Sequence, residues 1–122
     1  MQKFNELGAQ GDVLFMRVDR VPEGFQEVKN PETVPGKGVI VAHSETGHHH
    51  VMPQGQLFES PSNPLLAYMV APPELLELPV LHLRDNLTHE ALVLDCPADD
   101  SGKPVVWEIR RQRQRNSRVV AD

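Results

Sequence analysis

Residues 43–50 read HSETGHHH and bring four of the chain's six histidines, one glutamate and one serine into eight consecutive positions. Imidazole ligates transition metals and changes charge near neutral pH, so the segment points to metal binding, to catalysis or to a polar turn. Strand side chains alternate between faces, which sends His48 and His50 one way and His49 the other. A His-x-His pair of this kind offers two nitrogens to one ion. The further ligands would come from His43, Glu45, or the later pair His89 and Glu90. Zinc or another divalent transition metal, Fe(II), Mn and Ni included, accepts such a mixture of nitrogen and oxygen donors. The spacing is neither that of a zinc finger nor that of a helical His-Glu-x-x-His. The competing reading is a capped polar turn built from Ser44, Glu45, Thr46 and Gly47, with the histidines hydrogen-bonded or facing solvent.

Catalysis asks for more. Metal-assisted hydrolysis needs an open coordination position and a general base, for which Glu90 or Glu45 would serve. Ser44 has no Gly-x-Ser-x-Gly elbow around it, and Gly36-Lys37-Gly38 is too short for a phosphate loop. No catalytic residue is therefore assigned. His82, in PVLHLRDN, alternates with apolar residues and reads as a satisfied strand histidine rather than a ligand. Arg84 and Asp85 after it suit a surface ion pair.

The elements that must position these groups are short strands, because eleven prolines and eight glycines interrupt the chain too often for long helices. GDVLFMRV (11–18) places Val13, Phe15 and the stem of Arg17 on one face and Leu14, Met16 and Val18 on the other, as a strand buried on both sides would. GVIVAH (38–43) is a second β-branched strand, and HHHVM pairs back on it as a hairpin with SETG as the turn. LFES, LLAYMV (65–70) and LTHEALVL (87–94) follow as strands. CPADDSGKP forms a hairpin-type loop into PVVWEIRRQRQR (104–115), whose Val105, Trp107 and Ile109 share one face and Val106, Glu108 and Arg110 the other. PPELLEL has helical composition, and Pro79 limits any helix near 73–78 to about two turns. The expected fold is mainly β: one domain over 1–122, a barrel or sandwich of about eight short strands.

Composition sets the bounds. A chain of 122 residues with 39% hydrophobic and 24% charged residues and a mean hydropathy of −0.38 suits one soluble globular domain. No apolar run approaches the roughly 20 residues that span a bilayer, and MQKFNELGAQGDVLF lacks the apolar core of a secretory signal. The cytoplasm is the expected location, with no membrane partner. Cys96 is the lone cysteine; Asp95, Asp99 and Asp100 nearby oppose thiolate formation, so it reads as structural. The net charge is −5, yet residues 110–122 hold five arginines against one acid, +4, which leaves −9 on the first 109. The basic end, Arg110, Arg111, Arg113, Arg115 and Arg118, lacks the interleaved aromatics of a nucleic-acid surface and is expected to pack over acidic neighbours.

Taken in order, GDVLF, AHSETGHHHV, LTHEAL, WEIRRQRQR and RVVAD resemble a family of small uncharacterised proteins encoded by bacteria and their phages. Its members look like Gly-Asp-Val-Leu, Thr-Gly-His-x-His, Thr-His-Glu, an Arg-Gln-Arg strand and a terminal Val-x-Asp. The resemblance implies that Thr46, Gly47, His48, His50, Thr88, His89, Glu90, Arg111, Gln112 and Arg113 are the recurrent positions. It carries no activity with it. Many members continue Thr-His-Glu into a second histidine two positions after the first, where this chain has Ala91; a metal held there would need His43 or His49 instead. The chain is also similar to the cupin pattern in its His-x-His, although Gln54 stands nearest the place of the cupin glutamate.

The leading expectation is a non-enzymatic, phage-type protein that self-assembles or binds a protein partner through or beside a histidine-rich, metal-binding strand site. One alternative is a virion or capsid decoration or cement protein, located in the virion. The other is a metal-dependent cupin-like enzyme or hydrolase.

Overall fold

The computed structural model describes residues 2–4, 6–10, 13–42, 49–72, 74–84, 87–96 and 103–111. Its strands are β1 (Gln2–Phe4), β2 (Leu7–Gln10), β3 (Val13–Val18), β4 (Gln26–Glu27), β5 (Thr33–Val34) and β6 (Gly38–Ala42). They continue with β7 (His50–Met52), β8 (Gln56–Glu59), β9 (Leu66–Val70), β10 (Glu77–Arg84), β11 (Leu87–Asp95) and β12 (Val106–Arg111). These form two six-stranded sheets, one ordered β1-β11-β10-β7-β6-β5 and the other β2-β3-β12-β9-β8-β4. Neighbours run antiparallel except β1, which lies parallel to β11. Each sheet keeps its own two edges, so the architecture is a sandwich rather than a closed barrel.

Alternation decides what lies between the sheets. In the second sheet, Val13 and Phe15 of β3 share a face with Trp107 and Ile109 of β12 and with Ala67 and Met69 of β9, all buried. The first sheet answers with Ala42, Met52, Leu78, Val80, Leu92 and Leu94, and Cys96 joins the same cluster. Ile40, Val51 and Leu83 form a smaller cluster with Val34 and Leu81. Trp107 is fully buried, as its strand pattern requires.

The outer face of the second sheet is also partly covered. Phe25 stands edge-on to Tyr68 with ring centroids 4.8 Å apart, so the connection between β3 and β4 lies over β9. Beneath it Tyr68 donates to Glu108 Oε1 at 2.8 Å, and Glu108 Oε2 pairs with Arg110 at 3.1 Å. Burial, and then the bond to Glu108, push the Tyr68 phenol up to about 12.

Of the strand expected over 11–18, β3 covers residues 13–18, with 11 and 12 outside the described residues, and residues 7–10 form a further strand, β2, paired with it. Other expectations change. β3 is buried on one face only, with Met16 38% exposed. Within the expected limit of at most one short helix near 73–78, the described residues there form none: a Leu75-to-Pro72 turn hydrogen bond is followed directly by β10, because the face carrying Leu78 and Val80 is needed to close the core. The loop after Cys96 is no hairpin, since β11 belongs to one sheet and β12 to the other. Finally, the described residues form twelve strands rather than about eight, several being only two or three residues long.

Candidate functional site

His50 opens β7 and is buried against the sandwich interior. Its Nδ1 lies 2.7 Å from Gln10 Oε1, while Gln10 Nε2 donates to the carbonyl of Val80 at 3.1 Å. Gln10 ends β2, in the sheet opposite, so one buried carboxamide ties the two sheets together at the histidine. Its orientation follows from chemistry: a turned amide would set Oε1 against the Val80 oxygen, acceptor against acceptor. With Oε1 facing His50, Nδ1 must be the donor. The neutral ring then carries its lone pair on Nε2, the arrangement in which an imidazole ligates a metal or accepts a proton.

His82 of β10 stacks on His50, with centroids 4.3 Å apart and planes 8° from parallel. The two residues are also register partners across β7 and β10. A ring nitrogen's lone pair lies in the ring plane, so two nearly parallel, offset planes do not converge on one ion at the required distance of about 2.1 Å. His82 thus orients His50 by stacking rather than joining it as a ligand. The expectation of a strand histidine at 82 fits its place in β10, but the stack gives it a role at the site.

Two register shifts flank this pair. In β6 the shift falls between Ile40 and Ala42, opposite Val51 and His50. In the β10–β11 pairing it falls between Val80 and His82, after which His82 faces His89. The extra residues are on β6 and β11. Ala42, His50, His82 and His89 therefore occupy one row across four adjacent strands. Bulges re-aim side chains and recur beside functional sites, and the one on β11 spans Glu90 and Ala91.

The other residues expected at the site are placed as follows. His43, Ser44, Glu45, Thr46, Gly47 and His48 lie outside the described residues, as do Asp85, Arg113 and Arg115. His89 and Glu90 are in β11, with only their backbone described. His49 precedes β7, and its carbonyl accepts the Leu83 N–H at 2.9 Å. Among the described residues, no three His, Cys, Asp or Glu side chains are grouped to hold a metal ion. Arg110 is exposed and paired with Glu108, and Arg111 is half-buried. Cys96 is buried and burial, above all, raises its thiol, with Asp95 adding to the rise; hydrogen bonding with Trp107 and the charge of Arg17 oppose it. That suits a structural residue.

Sequence reasoning missed Gln10. LGAQ by itself does not mark Gln10 as inward, since its apolar Leu7 and Ala9 are the exposed positions; once buried, the glutamine must find buried partners. No curated protein and no solved structure matches the chain. Residues 9–92 match the model of a domain of unknown function (DUF8820), a span that contains Gln10, His50, His82 and both bulges and ends before β12, and the chain belongs to that family.

Proposed function

We propose that the protein is a non-enzymatic β-sandwich module of the phage-associated kind that binds a divalent transition metal, zinc or a chemical relative, at its histidine-rich strand. It works by assembling with copies of itself or with a protein partner. The observation that carries the metal half is the Val80–Gln10–His50 chain of hydrogen bonds. It commits Nδ1–H and leaves Nε2 as the nitrogen that would coordinate, as the hydrogen-bond partners of metal-bound histidines do. His43, His48, His89 and Glu90 are the donors that would complete the set, the first two through the segment joining β6 to β7 and the last two through the bulged stretch of β11. Buried Gln10 has no catalytic chemistry of its own, which favours a holding site over a reacting one.

Zinc titration of the untagged full chain by calorimetry, with His50→Ala and Gln10→Leu variants beside it, tests the reading. One equivalent should bind to the natural chain. His50→Ala should abolish that binding, and Gln10→Leu should weaken it about 10- to 100-fold. Absence of zinc, nickel and manganese binding by the folded natural chain, together with a melting temperature that chelation leaves unchanged, would remove the metal reading.

A further inference from the structure

A cleft lies at one end of the second sheet, with no histidine in its described lining. Where β3 ends, β12 begins and β9 ends, Val18, Val106 and Val70 are register partners in one row of the second sheet. Around them Arg17, Asp19, Arg20, Val21, Lys103, Pro104 and Val105 complete a cleft of about 880 Å³. That volume falls within the range of small-molecule sites, about 300–1,000 Å³.

Among the described residues, the lining of this cleft carries Arg17, Arg20 and Lys103 beside Asp19, in a protein of net charge −5. Arg17 sits in the inward row, paired with Trp107, and is half-buried, whereas Arg20 and Lys103 are exposed. Valines and Pro104 line the same cleft. Cations beside apolar side chains suit a ligand with an anionic head and an apolar body, because guanidinium and ammonium groups bind phosphate or carboxylate oxygens while the valines take the body out of water.

We propose that this cleft binds an organic anion, a phosphate or carboxylate ester or acid bearing a small apolar group, through Arg17, Arg20 and Lys103. The site is separate from the histidine strand and lies partly beyond the family-matched span, since Lys103 to Val106 follow residue 92.

Phenyl phosphate is the probe, titrated into the full chain by calorimetry and by amide chemical shifts, with inorganic phosphate and phenol as its two halves. Saturable 1:1 binding is expected, with shifts at residues 17–21 and 103–106, and about tenfold or more weaker binding by either half alone. Arg20→Gln/Lys103→Gln, both at exposed positions and so expected to fold with an unchanged melting temperature, should weaken phenyl phosphate about tenfold. His50→Ala should leave it unaffected, which separates this site from the metal reading. A phenyl phosphate titration that does not saturate, binding by inorganic phosphate as tight as by phenyl phosphate, or an unchanged affinity in the double variant overturns the proposal.

Discussion

At the scale of single residues, Gln10 is the side chain on which the site depends most. It is almost fully buried, and both ends of its amide are engaged across the sandwich. Gln10→Ala leaves the His50 Nδ1–H and the Val80 carbonyl without that partner and opens a small cavity. A loss of about 2–4 kcal/mol is expected in chemical denaturation. The same change should alter the His50 tautomer ratio, read by long-range nitrogen–proton NMR, whereas the natural chain should show Nδ1 protonated. Tyr68 is the only tyrosine in the chain, so phenolate absorbance reports it directly. Its folded value, about 12, lies above the ordinary 10.0, which means that folding favours the neutral phenol. The stabilisation is complete below pH 10 and is lost as pH rises from there through about 12. On the order of 2 kcal/mol is at stake. Denaturation at pH 9 and at pH 12, compared with Tyr68→Phe, should show the natural chain losing its advantage over the variant only at the higher pH.

At the scale of elements, the turn from β5 into β6 has a strict requirement at one glycine and a loose one at another. Gly38 has φ 133°, and an added Cβ would lie 2.5 Å from the carbonyl oxygen of Met52 and from the Cα of Pro53, both backbone atoms that cannot swing aside. Gly36 has φ 75° with nothing within 4 Å of the same position. Gly38→Ala should therefore cost about 3 kcal/mol or more and disturb the β6–β7 pairing that presents His50. Gly36→Ala should cost about 1 kcal/mol, the backbone conformation alone. Melting curves of the two variants check the difference. The bulges act at the same scale: without the extra residue on β6, the pairing that sets Ala42 against His50 would shift by one and turn alternate side chains to the opposite face.

At the scale of the whole molecule, two features bear on assembly. The sandwich leaves sheet edges at β1, β2, β4 and β5. On the outer face beside the β2 edge, Leu7 and Met16 are register partners, 57% and 38% exposed. Exposed apolar pairs next to a sheet edge suit association, which supports the assembling half of the proposed function. Sedimentation velocity should show a concentration-dependent oligomer for the natural chain and a shift toward monomer in Leu7→Lys/Met16→Lys. A natural chain that stays monomeric at every concentration would remove the assembly reading. Among the described residues no helix is long and apolar enough to cross a membrane.

Much of this could be read from residues alone. Val13 with Phe15, the GVIVA strand and its return at His50–Met52, and the burial of Trp107 with Ile109 all follow from alternation, because a strand's inward face is set by residue parity. The acidic neighbours of Cys96 pointed to a raised thiol, but its burial, the larger cause, is decided by the core it joins. Parity set His48 and His50 on one face; of the two, His50 is described and is buried, and His48 lies outside the described residues. Partnership across the sandwich did not follow, since no local rule links residue 10 to residues 50 and 80. Which histidine ring stacks on which was equally beyond a linear reading, because it depends on the register in which β7 and β10, distant in sequence, pair with each other. The leucines and prolines of 72–79 balance helix against strand by composition, and only the core's need for Leu78 and Val80 tips them to β10. The HSETGHHH segment thus carries its chemistry in sequence, whereas the proton on His50 is assigned by a glutamine that tertiary structure alone brings to it.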